Sequence, residues 1–283
     1  MTELPQDLKF YNNTYGLTCV ENILLYILNS ANIPYWILYY DSFITFSEII
    51  KCFQKEGIYY ETFNGLHTIQ NIADNEGWVK IHSTSDDIEK LISEDTHIAI
   101  MVTPQFIKNK FDRILLREDH YILLSAHTPE RITLINDTPK NIFDITVEQL
   151  NEIYAGQALK IKLIKHSFDN IDYKSKLKKL LLSLMTNDNI PYIEHCDLRK
   201  MRDIVGVLKL SRNRLYHLCN KYFDMEFMDS YLKKLEKIYL TIEYRRLRNQ
   251  NSVDFVNNTF NDILEMDNKF IIILKEKLTS YTR

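Results

Sequence analysis

The chain has 283 residues, about two domains' worth at roughly 150 residues each. With 45% hydrophobic and 26% charged residues it has the composition of a globular protein able to bury a core. The 35 Lys and Arg stand against 38 Asp and Glu, a net charge of −3, so nothing global points to nucleic acid or to a membrane surface. No apolar run approaches the ~18 residues of a membrane span. The opening MTELPQDLKF lacks the basic and apolar regions of a signal peptide, and Cys19, Cys52, Cys196 and Cys219 form no CxxC pair. The expectation is a cytoplasmic protein without a disulfide scaffold or a zinc ribbon.

Two regions are predicted, 1–166 and 167–283. The second carries 21 basic and 16 acidic residues, +5; the first carries 14 and 22, −8. Five of six glycines and five of six prolines precede residue 167, so a turn-rich mixed region gives way to a turn-poor helical one. In chain order, a helix is predicted from Thr18, with Val20, Ile23, Leu24, Ile27 and Leu28 at helical spacing. YWILYYD at 35–41 reads as a buried strand, a substrate-channel lining being the functional alternative. Residues 45–55 repeat the helical period, and GIYYETF is strand-like. Asp86–Ser93 reads as a helix capped by Ser85 or Asp86. His97–Thr103, His120–Ser125 and Arg131–Asn136 are β-branched runs, the last two joined by a hairpin-length turn. A helix near 146–154 and a strand near 158–165 complete an α+β layout.

The second region reads as helices near 172–187, 197–209, 211–223, 227–249 and 253–280, their apolar stripes suited to a small bundle. Residues 203–223 mimic a helix-turn-helix, with Ser211 as cap and Arg212, Asn213, Arg214 and His217 on a recognition helix. The plainer alternative is a capped corner within the bundle. His166, His195 and Cys196 match no metal-ligand spacing, and Cys52, Cys196 and Cys219 read as core within helical patterns.

Three residues fall in an order that suggests chemistry. Cys19 opens the first helix, where the positive end of the macrodipole favours a thiolate. His120 opens one strand, and Asp137 closes its hairpin neighbour. A carboxylate there can hold an imidazole in one tautomer while the other ring nitrogen takes a proton from a thiol. The backbone N–H of Cys19 and a side-chain amide upstream, Asn13 or its neighbour Asn12, would face a tetrahedral oxyanion. Glu118 and Asp119 flank His120, as modulators of its basicity or as a loop cap.

The stretches NNTYGLTCVENILLYIL and DHYILLSAHTPERITLINDTP resemble papain-fold cysteine enzymes over about residues 10–165. They look most like double-glycine-leader peptidases and butirosin-type acyltransferases. The latter move an acyl group from a carrier-protein thioester to an amine in antibiotic biosynthesis. The resemblance implies Cys19 as nucleophile, His120 as base, Asp137 as orienting carboxylate and Asn13 as oxyanion amide. Asn13 stands where leader peptidases usually have Gln, and Val20 where Gly often follows the nucleophile. The C-terminal helices resemble the butirosin-type layout rather than the transporter-fused peptidases. The implied fold is a papain-like α+β domain followed by an all-helical one. The implied activity forms amide bonds with no bound cofactor or metal, its acyl group arriving on the phosphopantetheine of an acyl or peptidyl carrier protein. An amine acceptor is the second substrate; neither nucleic acid nor membrane is a partner, and a homodimer is left open. Carrier proteins are generally acidic, and Lys233, Lys234, Lys237, Arg245, Arg246 and Arg248 are the densest basic stretch. The alternatives are a cysteine peptidase or amidase with the same Cys-His-Asp triad, and a helix-turn-helix DNA-binding regulator through 203–223.

Overall fold

The structure, a computed structural model, describes residues 18–55, 58, 63, 69–93, 96–111, 120–128, 131–137, 140–164, 171–185, 196–250 and 252–283. It is an α+β protein whose chain forms two compact units. Met1–Tyr35 and Ile69–Ile171 make the first; Trp36–Thr68 and Asp172–Arg283 make the second. The grouping differs from a contiguous division at 166 in placing 36–68 with the residues that follow 171.

In the first unit, helix α1 (Cys19–Ser30) is capped by Thr18, whose Oγ1 accepts from the Glu21 N–H at 3.2 Å. Residues Ile23 to Leu28 are all buried, so the helix is enclosed on every side. Then come α3 (Ile69–Asn75), β1 (Val79–Thr84), α4 (Ile88–Ile92), β2 (His97–Val102), α5 (Pro104–Phe111), β3 (His120–His127), β4 (Ile132–Asp137), β5 (Lys140–Ile145), α6 (Val147–Ile153) and β6 (Tyr154–Leu163). The label α2 belongs to Phe46–Phe53, in the second unit. Among the described residues six strands form one antiparallel sheet, ordered β1-β6-β2-β3-β4-β5. One face carries Ile98, Ile100, Val102, Ile122, Ile132 and Leu134, packed with residues of α4, α5 and α6. The alternate positions Ala99, Leu123 and Ile135 are buried as well, and α1 lies against β2, β3 and β4. The expected arrangement of an N-terminal helix on an antiparallel sheet is therefore present. The helix at 86–93 is shorter than expected and has Asp87 as its N-cap. Asp86 instead bonds the Thr84 hydroxyl, Lys90 and Lys160, which hold its carboxyl far below the usual range. The strand expected in GIYYETF lies outside the described residues, apart from Ile58 and Phe63.

Residues 35–41, where the chain passes from the first unit into the second, form a 3-10 helix rather than a strand, and the Ser42 N–H donates to the Tyr39 carbonyl just after it. Helix α2 has the reciprocal capping box of Thr45 and Glu48 and buries Phe46, Ile49, Ile50 and Phe53. It packs on α8 (Leu198–Cys219), which is followed by α9 (Glu226–Leu247) and α10 (Val253–Thr282) and preceded by α7 (Tyr173–Ser183).

Helix α8 overturns the helix-turn-helix reading. It runs unbroken through residues 210–211, and Ser211, Arg212 and Arg214 are buried rather than presented to a groove. Ser211 is not a cap: its hydroxyl donates to the Ser42 carbonyl at 3.2 Å. Arg212 grips Asp267 with two hydrogen bonds, Nε to Oδ1 at 2.8 Å and Nη2 to Oδ2 at 2.7 Å. It also donates to the Ile44 carbonyl, while the Tyr231 hydroxyl donates to Asp267 Oδ1 at 2.6 Å. A buried guanidinium and carboxylate need such a complete set of partners.

Further along α8, burial and the nearby Lys221 cation push His217 down to about 4. The native state thus holds the ring neutral, while the unfolded chain protonates near pH 6.5. Stability conferred by the neutral ring is complete above pH 6.5 and is lost as pH falls toward 4. Over that window the native chain is expected to lose roughly 2–3 kcal/mol that a His217→Gln variant does not lose, measurable by urea unfolding at pH 7 and pH 4.5.

Candidate active site

The first turn of α1 departs from the apolar pattern that follows it. Glu21 and Asn22 are both buried, and each has a partner far along the chain. Glu21 Oε1 accepts the Ile69 N–H at 2.7 Å, satisfying a backbone donor at the head of α3. Asn22 Nδ2 donates to Asp137 Oδ2 at 2.8 Å, tying the head of α1 to the end of β4. Cys19 is the first residue of this helix and partly exposed. It lies one turn before Asn22 on the same face, with Cβ atoms about 5–6 Å apart.

His120 and Asp137 converge as neighbours at one end of the hairpin. Leu123 pairs with Ile135 and Leu124 with Leu134, which brings the start of β3 beside the end of β4. His120 Nε2 lies 3.8 Å from Asp137 Oδ1, and both side chains are almost fully buried. The hydrogen bond of that nitrogen goes elsewhere, to Asn136 Oδ1 at 2.7 Å. Asn136 is fully buried, and it was not foreseen from the sequence. Because an amide oxygen only accepts, Nε2 carries the proton in the neutral ring, and Nδ1 keeps its lone pair. The tautomer is thus set by Asn136, with the Asp137 carboxylate close enough to stabilise a ring that gains charge.

Of the four expected site residues, Cys19, His120 and Asp137 belong to one end of the first unit, linked through Asn22. Asn13 lies outside the described residues, as do Asn12, Glu118, Asp119, His166 and His195. Asn22 and Asn136 were missed. The signal for Asn22 was a polar pair, Glu21-Asn22, heading an otherwise apolar helix. For Asn136 there was none beyond adjacency to Asp137.

The other thiols are poor competitors for an electrophile. Burial raises Cys52, pushes Cys196 up to about 12 and drives the fully buried Cys219 higher still. Cys196 precedes α8 instead of lying within a helix, while Cys219 is core as expected. Among the described residues no group of three or more His, Cys, Asp or Glu gathers as a metal site.

No family model matches the chain, and neither does any curated protein. Among solved structures it is similar to a periplasmic domain of the EpsAB fusion protein of the Vibrio vulnificus type II secretion system, at 12% identity and a TM-score of 0.24. That match covers 50% of this chain and 64% of the other, so the chain spans less than two thirds of that structure. A likeness of this extent contributes nothing to the reading of the site. No helix among the described residues is long and apolar enough to cross a membrane.

Proposed function

We propose that the protein is a cysteine-dependent acyltransferase with a papain-like catalytic unit, moving an acyl group from a carrier-protein thioester to an amine. The observation that carries the reading is the buried His120, its Nε2 bonded to Asn136 beside the Asp137 carboxylate, at the strand end that Asn22 ties to the Cys19 helix. An imidazole held with Nδ1 unprotonated and a thiol at a helix head are the two groups that nucleophilic acyl transfer requires.

In the first half-reaction His120 Nδ1 takes the thiol proton, and Cys19 Sγ attacks the thioester carbonyl carbon. The bond from that carbon to the pantetheine sulfur breaks, and the leaving thiolate receives the proton from the imidazolium. In the second, the amine nitrogen attacks the acyl-enzyme carbonyl, His120 accepts the amine proton, and Cys19 leaves with it as a thiol. The oxyanion donors are the Cys19 backbone N–H and, on the resemblance, the Asn13 amide. Both steps exchange an acyl group between nucleophiles without any redox change. The basic side chains of α9 lie among acidic ones: Lys234 and Lys237 line a shallow groove with Asp262, Glu265, Met266 and Lys269, and Lys233 lines a neighbouring one with Glu226 and Asp229. Arg246 is paired with Glu243, and Arg245 and Arg248 lie over Phe255 and Tyr244.

Intact-mass spectrometry of the full chain incubated with an acyl-pantetheine thioester tests the reading. A stoichiometric acyl adduct is expected, absent from Cys19→Ala and discharged by an added amine. An adduct that persists in Cys19→Ala removes the nucleophile. Rapid discharge to water with no amine present assigns the same site to a peptidase or amidase.

A further inference from the structure

We infer that Asn22 is a positioning residue for this chemistry, aiming the Asp137 carboxylate at His120 while fastening the nucleophile's helix to the sheet. The inference rests on the acyl-transfer reading of Cys19 and His120 and adds a residue to it. Its starting point is an anomaly of composition. From Ile23 to Leu28 every residue of α1 is a buried hydrophobe, yet the turn before them buries a side-chain amide. Burying an amide costs about 1–3 kcal/mol unless it finds a partner. Asn22 Nδ2 finds one 115 residues away, on the carboxylate that neighbours the candidate base, while its Oδ1 has none among the described residues.

The two oxygens of Asp137 are used differently. Oδ2 receives the Asn22 amide at 2.8 Å, which fixes the plane of the carboxylate. Oδ1 is buried with no hydrogen-bond partner among the described residues and lies 3.8 Å from His120 Nε2. The open oxygen therefore faces the ring and the occupied one faces the helix. While the ring is neutral, its Nε2 proton is directed to Asn136. Once the ring accepts the thiol proton at Nδ1 it becomes a cation beside an unpartnered carboxylate oxygen. Asn136 sets the tautomer, Asp137 stabilises the charge, and Asn22 decides which carboxylate oxygen is left to do so. The same bond links this device to the thiol, because Cys19 and Asn22 share a helix face one turn apart. Without the amide, no side-chain hydrogen bond among the described residues holds the Asp137 carboxylate in this orientation.

Capture of Cys19 by iodoacetamide in the full chain, read by peptide mapping at pH 7 and pH 10 and paired with thermal unfolding, tests this. Asn22→Ala is expected to slow capture at pH 7 about 10-fold, less than the 10²–10⁴ a general base supplies. At pH 10 the thiol ionises unaided, and the variant is expected to match the native chain. Asn22→Gln, which keeps the amide, is expected to recover part of the pH 7 rate. Should Asn22→Ala fail to fold, the near-isosteric Asn22→Leu removes the donor without opening a cavity, and the same loss confined to pH 7 is expected. Equal slowing at both pH values, in step with a lower melting temperature, would reduce Asn22 to a structural contact and overturn the proposal. An unchanged pH 7 rate, in a protein whose His120→Ala variant is slowed, would overturn it and leave the acyl-transfer reading intact. No slowing in His120→Ala would overturn both.

Discussion

Asp267→Ala is expected to destabilise the helical unit by about 3–5 kcal/mol, the cost of stranding a buried charge. The Arg212 side chain is fully buried, and Asp267 takes both of its forked donors together with the Tyr231 hydroxyl. Among the described residues, removing the carboxylate leaves the guanidinium hydrogen-bonded to the Ile44 carbonyl and the Ser211 hydroxyl, beside the Phe43 and Phe270 rings. At about 2–4 °C per kcal/mol, the melting temperature should fall by roughly 10 °C. Tyr231→Phe removes one hydrogen bond to a charged group and is expected to cost about 1.5–3 kcal/mol. The pair Arg212→Met with Asp267→Leu discards both charges and should recover most of the loss, since apolar groups of similar volume often replace a buried ion pair without penalty. A double-mutant cycle on the melting temperature checks this. Equal destabilisation by the single and double variants would show that packing volume, and not the ion pair, matters at this position.

His120→Ala is expected to produce the largest loss of activity short of removing the thiol. At pH 7 a free cysteine is only a few per cent thiolate, so without a base most molecules hold the unreactive form. Acyl-enzyme formation should slow by roughly 10²–10⁴ in single-turnover intact-mass measurements. The deficit should shrink as pH rises past about 8.5, where a cysteine ionises by itself. Asn136→Ala leaves the ring in place but frees its tautomer, so a smaller loss is expected. A His120→Ala deficit that is constant from pH 7 to pH 10 would show that the ring acts by packing and not by moving a proton.

Most helices and central strands were legible because their signals are local. Thr18 ahead of an apolar run marks the start of α1, and Thr45 with Glu48 marks α2, each cap acting within three residues. The central strands β2, β3 and β4 stood out as β-branched runs because the sheet buries them on both faces. The two strands that were missed, β1 and β5, are its edges. Both are rich in polar residues, as edge strands tend to be, and so lack an apolar run to notice.

The misread segments share one cause, partners distant in sequence. Ser211 looked like a cap because a serine before Arg-Asn-Arg offers a local hydrogen bond. Its actual partner is the Ser42 carbonyl, and Arg212 finds Asp267 on α10, which keeps α8 continuous. Residues 36–68 were assigned to the first region by order along the chain. The buried apolar face of α2 assigns them to the second, since Phe46 meets Phe260 and α2 packs on α8.

The sequence by itself determined the α+β class, the helix that starts at Cys19 and the hairpin that carries His120 and Asp137. Caps, apolar periodicity and turn spacing all act over a few residues and can be read in one dimension. Only the tertiary structure decided that Asn136, and not Asp137, holds the ring nitrogen, and that Asn22 holds Asp137. Asn136 and Asp137 are adjacent at one strand end, and both approach the same imidazole nitrogen, at 2.7 and 3.8 Å. Which one meets the imidazole depends on register, twist and the helix lying across that sheet, none of which a linear pattern encodes.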